Sequence, residues 1–157
     1  MRILVSACLL GVGCRFDGRS KPCKEVASLL KEHTLIPVCP EIYGGLPTPR
    51  PPAEIWDGKV ITQEGTDVTA QYHRGAEQTL VLARLYGCKA AILKENSPSC
   101  GVGNIYDGTF SGSLAEGDGV SAALLKAHGL KVYTEKQVRL FKQEAGGQTD
   151  NNAVLEE

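Results

Sequence analysis

Cys8, Cys39 and Cys100 each stand where a short apolar run gives way to polar residues: Arg2 to Cys8 (RILVSAC), Thr34 to Glu41 (TLIPVCPE) and Ala90 to Cys100 (AAILKENSPSC). A thiolate binds zinc, copper(I) or an iron–sulfur cluster, and beside a base it is a nucleophile. Three thiols in equivalent positions admit three readings: small buried side chains, a metal or cluster site with an open fourth position, or a cysteine nucleophile. The spacing is unlike the short Cys-x-x-Cys runs of ferredoxins and zinc ribbons, so it names no metal. No histidine lies in the three segments to activate a nucleophile, which weakens the third reading.

Groups suited to proton chemistry sit beside these cysteines. Glu41 lies two residues beyond Cys39. In an extended segment the two side chains share a side, and a carboxylate there serves as general acid or base next to a metal-bound substrate. The alternative for Glu41 is a loop carboxylate capping backbone amides. Asn96, Ser97 and Ser99 precede Cys100 in NSPSCG. Their amide and hydroxyl groups either face a ligand or make ordinary turn bonds to their own backbone. Cys14 and Arg15 fall in a loop with Gly11, Gly13 and Gly18, where a permissive backbone lets main-chain amides approach a ligand.

These residues must be positioned by strands. The three apolar runs read as parallel strands, which would bring Cys8, Cys39 and Cys100 out at the carboxyl ends where open α/β sheets place their sites. Pro37 cannot donate a ladder hydrogen bond and assigns the second run, Thr34 to Val38, to an edge. Right-handed crossovers then give the order 2-1-3-4, a three-layer Rossmann-like α/β sheet with its switch point between the first and third strands. The fourth strand is Leu130 to Tyr133.

Helices are expected from Lys24 to about Glu32, from an Asp67 cap to Gly87 with Val68, Tyr72, Ala76, Leu80 and Ala83 on one stripe, and from an Asp118 cap to His128. Thr134 caps a last helix through about Glu144. Asp57-Gly58 marks a small hairpin insertion, and Pro47 to Pro52 a stiff connector. The glycine-rich stretch from 101 to 119 reads as a long loop without regular structure. Cys23 and Cys88 read as small buried hydrophobes, and His33 and His73 as surface residues. One domain is expected over residues 1–145, with a disordered tail over 146–157.

Formal charge is −1 and no basic stripe stands out, which argues against a nucleic-acid polymer as partner. No run approaches the roughly 18 apolar residues that span a bilayer. The amino terminus starts strand-like without a signal segment, so a soluble cytoplasmic protein is expected. A reducing compartment disfavours disulfides, leaving the six cysteines in need of another role.

Several stretches together resemble one family, the thiouracil desulfidases: SACLLG (6–11), CRFDG (14–18), VCPE (38–41), GGLPTPRPPAE (44–54), LKENSPSCG (93–101) and YDGTFSG (106–112). The resemblance runs from about Ile3 to Tyr133. It implies a [4Fe-4S] cluster held by three cysteines, with the fourth iron acting as a Lewis acid toward the sulfur of a thiolated pyrimidine. The oxygenated base and hydrogen sulfide are released without net redox change. Carried over by motif, the ligands are Cys8, Cys39 and Cys100, with Cys14 a rival for one place. Glu41 and Ser97 are the implied catalytic residues, and Asn96 and Ser99 the candidates for holding substrate. Phe16 stands where the family more often has tyrosine, which leaves the ligand set untouched. The partner is then a small thiolated base or nucleotide, and the oligomeric state stays open. Two other functions remain to be weighed: a zinc- or cysteine-dependent hydrolase or sulfur transferase, and a non-catalytic iron–sulfur redox sensor.

Overall fold

The computed structural model describes residues 1–154, with side chains through Gly146. In chain order its elements are β1 (Arg2–Ser6), α1 (Lys24–Ala27), β2 (Thr34–Val38), α2 (Pro40–Tyr43), β3 (Ala53–Trp56), β4 (Lys59–Thr62), α3 (Thr69–Leu85), β5 (Ala90–Leu93), β6 (Asn104–Tyr106), β7 (Leu114–Glu116), α4 (Val120–Ala127), β8 (Lys131–Thr134) and α5 (Val138–Val154). Short 3-10 turns follow β1 (Ala7–Leu10) and α1 (Ser28–Lys31) and precede α5 (Glu135–Gln137).

Four strands form one parallel sheet in the order β2-β1-β5-β8, which is the 2-1-3-4 arrangement read from the sequence. The register runs from Arg2 opposite Thr34 to Ser6 opposite Val38 on one side of β1, and from Ile3 opposite Ala90 to Val5 opposite Ile92 on the other. Alternation sends Ile3 and Val5 to one face, where they meet Val26, Leu29 and Phe141. Leu4 goes to the other face with Leu80, Ala83 and Leu125. Helices therefore cover both faces, which is why the strands are apolar throughout instead of alternating. Each of the larger side chains among these contributes roughly 1.5–3 kcal/mol by leaving water. The antiparallel β3–β4 hairpin turns at Asp57-Gly58, both at positive φ. It is seated on α3 through Val60, Val68 and Tyr72.

Several local expectations are corrected. The helix from Lys24 to Glu32 is one α turn followed by a 3-10 turn; the Ser28 hydroxyl donates to the Glu25 carbonyl at 2.6 Å and competes with the helical ladder. Residues 101–119 are not structureless: β6 and β7 pair antiparallel within them, in strands too short for any alternation to be read. Asp118 does not cap α4. The first amides of that helix go instead to the preceding loop, Val120 to the Pro98 carbonyl at 2.8 Å and Ser121 to that of Ser99 at 2.9 Å. Asp118 accepts from the Gly103 amide at 2.8 Å and pairs with Lys126 at 3.0 Å.

At α3, Asp67 Oδ1 accepts from the Thr69 amide at 2.9 Å, although Val68 is the boundary residue. The Thr134 cap is present, and the Thr134 amide donates in return to Gln137 Oε1 at 3.0 Å. The α5 backbone runs past Glu144, where the sequence ends the last helix; the final residues of the expected tail, 155–157, lie outside the described residues. Among the described residues no helix is long and apolar enough to cross a membrane.

Candidate active site

The carboxyl ends of β1, β2 and β5 open into one cleft of about 450 Å³, lined among others by Cys8, Cys14, Cys39, Cys100, Glu41 and Ser97. Cys8 is fixed by the 3-10 turn after β1: its carbonyl accepts from the amides of Gly11 at 3.3 Å and Lys21 at 2.9 Å. Cys39 is held extended (φ −131°, ψ 95°) between β2 and α2, with Pro40 supplying the first position of α2. Cys100 follows the turn beyond β5 and is 5% exposed. All six cysteines are free thiols.

Cys14 lies beside the thiols of Cys39 and Cys8, and Cys39 Sγ donates to the Cys14 carbonyl at 3.6 Å. The contact with Cys39 lowers its pKa, but Cys8 and burial together raise it above the usual thiol value. Cys39 is pushed well up by its hydrogen bond with Cys14 and by burial. Burial pushes Cys100 up to about 11, against hydrogen bonds from Ser6 and Ser99 that favour the thiolate. Cys14, Cys39 and Cys100 are thus held as protonated thiols, and a cation that takes them as thiolates must release protons.

Glu41 is not extended beside Cys39, as sequence spacing suggested, but stands in the first turn of α2. One carboxylate oxygen, Oε1, accepts from the Tyr72 hydroxyl at 2.6 Å and from Arg50 Nε at 3.2 Å. The other, Oε2, accepts from the Ser99 hydroxyl at 3.0 Å. Arg50 is almost fully buried and also donates to the carbonyls of Cys14 (2.8 Å) and Pro47 (3.2 Å) and to the Thr48 hydroxyl (3.0 Å). Burial and the nearby carboxylate keep the Tyr72 phenol protonated, so it serves as a donor.

Ser97 Oγ accepts from the amides of Ser99 (3.1 Å) and Cys100 (2.9 Å) and lies 3.0 Å from Ser99 Oγ. Its two acceptor places being filled, its one hydrogen is left for Ser99 or for a ligand in the cleft. Ser99 is 1% exposed, and its hydroxyl also reaches Cys100 Sγ at 3.5 Å. Asn96 does not belong to this cleft. It has a left-handed backbone (φ 66°), bridges to Ile105, and its carbonyl accepts from the Tyr106 amide.

Arg50, Tyr72 and Ser6 were not singled out in the sequence. Tyr72 reads as a core position on the α3 stripe, and Arg50 as one more polar residue in a proline-rich connector. Ser6 joins two strand ends by accepting the Lys94 amide at 2.9 Å. Phe16, Tyr106 and Phe110 add aromatic surface to the cleft. Phe110 sits at φ 55°, its amide and that of Gly108 both bound to Glu54 Oε1 at 3.1 and 3.0 Å.

A sequence profile described as 2-thiouracil desulfurase matches residues 3–137. The chain belongs to the 2-thiouracil desulfurase family. Among curated proteins, this desulfurase-family chain is similar to the uncharacterized protein YbbK of Bacillus subtilis (strain 168), with 46% identity over 146 residues, covering 87% of this chain and 97% of YbbK. Among solved structures it is similar to the [4Fe-4S]-dependent thiouracil desulfidase TudS. The TM-score is 0.87 at 46% identity, covering 92% of this chain and 97% of TudS. The family match spans every cleft residue named above, from Ser6 to Phe110.

Proposed function

We propose that this member of the 2-thiouracil desulfurase family is a [4Fe-4S]-dependent desulfidase that replaces the sulfur of a thiolated pyrimidine by oxygen and releases hydrogen sulfide. One observation carries the reading: a single cleft gathers the strand-end thiols and a continuous hydrogen-bonded path from Ser97 through Ser99 to Glu41.

The residues fit such a cluster. Its donors are free thiols, the ligand type that iron–sulfur clusters select, and four of them line the one cleft. We assign Cys8, Cys39 and Cys100 as the ligands and Cys14 as the adjacent thiol that rivals them. Bound there, the cluster supplies a Lewis-acidic iron for the thiocarbonyl sulfur, which makes the neighbouring ring carbon more electrophilic.

The chain's own residues handle the protons. Glu41 Oε2 removes a proton from the attacking water. Ser97 gives its own hydrogen to the departing sulfur as the carbon–sulfur bond breaks, the oxygen so freed takes the hydrogen of Ser99, and Glu41 returns the water's proton to Ser99 Oγ. Ser99, nearly inaccessible, belongs to this path more than to substrate binding, and Asn96 shapes the loop behind it. Free thiols suit a reducing compartment, and we place the protein in the cytoplasm.

The test is purification without oxygen followed by iron, sulfide and zinc analysis and an assay with 2-thiouracil. Near-equal iron and acid-labile sulfide, with sulfide and uracil formed together, are expected. A single zinc without labile sulfide would favour the hydrolase, and a tightly held cluster with no sulfide release the sensor.

A further inference from the structure

Helix α3 carries no residue marked by the family's cysteine motifs, yet it reaches the centre of the cleft. Its backbone lies directly on α2. A Cβ built at Gly75 would meet the Pro40 carbonyl oxygen at 1.9 Å, and one at Gly44 would meet that of Gln71 at 2.0 Å. Two glycines therefore allow an approach that ordinary side chains forbid, and at that approach Tyr72, one turn before Gly75, meets Glu41. From the other side Arg50 reaches the same oxygen, anchored to the backbone of the Cys14 loop.

We propose that Tyr72 and Arg50 are positioning residues that aim the Glu41 carboxylate; the inference rests on the reading of Glu41 as the base. Oε1 carries two donors, one of them a cation, and is saturated. Oε2 has only the Ser99 hydroxyl and keeps a lone pair for the proton of water. The phenol and the guanidinium thus decide which of two chemically equal oxygens reacts, and they hold the carboxylate plane against rotation. The device also links the Cys14 loop to the base, because the guanidinium that grips Glu41 simultaneously grips the Cys14 carbonyl.

The experiment compares Tyr72→Phe and Arg50→Lys with the wild-type holoenzyme. Tyr72→Phe is expected to keep its iron, sulfide and melting temperature and to hold KM within about twofold. Its kcat falls roughly ten- to hundredfold, the range for one hydrogen bond to a charged group. Arg50→Lys keeps the charge but not the fork, and loses kcat likewise. In a Glu41→Asp background, whose carboxylate is set back by one methylene from Tyr72, adding Tyr72→Phe should cost nothing further, because the phenol acts only through that carboxylate. Wild-type kcat in both single variants at full cluster content would overturn the proposal, as would a Tyr72→Phe loss undiminished in the Glu41→Asp background. Wild-type turnover in Glu41→Gln would instead overturn the assignment of Glu41 itself.

Discussion

Gly75 of α3 is in backbone contact with Pro40 at the head of α2, so tightly that any Cβ at residue 75 would fall 1.9 Å from the Pro40 carbonyl oxygen. That oxygen belongs to the backbone and cannot swing away. Gly75→Ala must push α2 off α3, and is expected to cost about 1–3 kcal/mol, the usual penalty of overpacking, together with most of the turnover. Gly65→Ala is the control. It sits at φ +89° with open space around it and should cost only about 1–2 kcal/mol of backbone strain, leaving turnover intact. Denaturant melts and a sulfide-release assay of both variants check this.

Single replacement of Cys8, Cys39 or Cys100 by Ala should abolish most of the iron and labile sulfide taken up on anaerobic reconstitution. Cys14→Ala should retain them. A full complement in any of the first three, or its loss in Cys14→Ala, redraws the ligand set. Extracting the iron from wild-type protein with a chelator should stop sulfide release, since the thiols alone offer no electrophile.

Ser99 stands 3.0 Å from both Ser97 Oγ and Glu41 Oε2. Ser99→Ala removes that bridge and should lower kcat roughly hundredfold, within the usual yield of general acid–base catalysis, with KM little changed. Ser99→Thr, which restores a hydroxyl, should recover part of the loss. Steady-state kinetics at matched cluster content decide it; an unimpaired Ser99→Ala enzyme would return Ser99 to a packing role.

His33 lies against Phe141, its Nδ1 3.0 Å from the Met1 amino group. Burial and that ammonium hold its pKa below the ordinary 6.5. In acid the folded state therefore binds fewer protons than the unfolded chain, so its contribution to stability is present above about pH 6.5 and is lost as pH falls from there through the lower folded-state pKa. Urea midpoints measured at about pH 7 and about pH 5 should diverge in wild type and draw together in His33→Gln.

The sheet was legible because its signals are strong and local: one proline placed β2 at the edge, four apolar runs marked the strands, and Asp57-Gly58 marked the hairpin turn. The turn α2 was hidden because a proline just after a strand reads as a break, whereas Pro40 is the first residue of a helix. Cys39 and Glu41 both line the cleft, brought there by the α2 turn and not by strand alternation. The partners of Glu41 were the least legible part. They come from positions 50, 72 and 99, and a hydrogen bond spanning 31 or 58 residues leaves no trace in periodicity or spacing. Asp118 had the right residue type for a cap, but the amides it would have served were already taken by the loop that carries Ser99.

That loop rests on the head of α4, while Cys39 and Glu41 ride on α3 by way of α2, and α3 packs along α4. The gap between carboxylate and hydroxyl is therefore ruled by a seam between two helices, whose apolar cluster of Leu80, Ala83, Ala122 and Leu125 also takes in Cys100. Repacking that seam with slightly larger or smaller side chains would retune the chemistry as a screw adjusts a lens, without altering a single group that takes part in it.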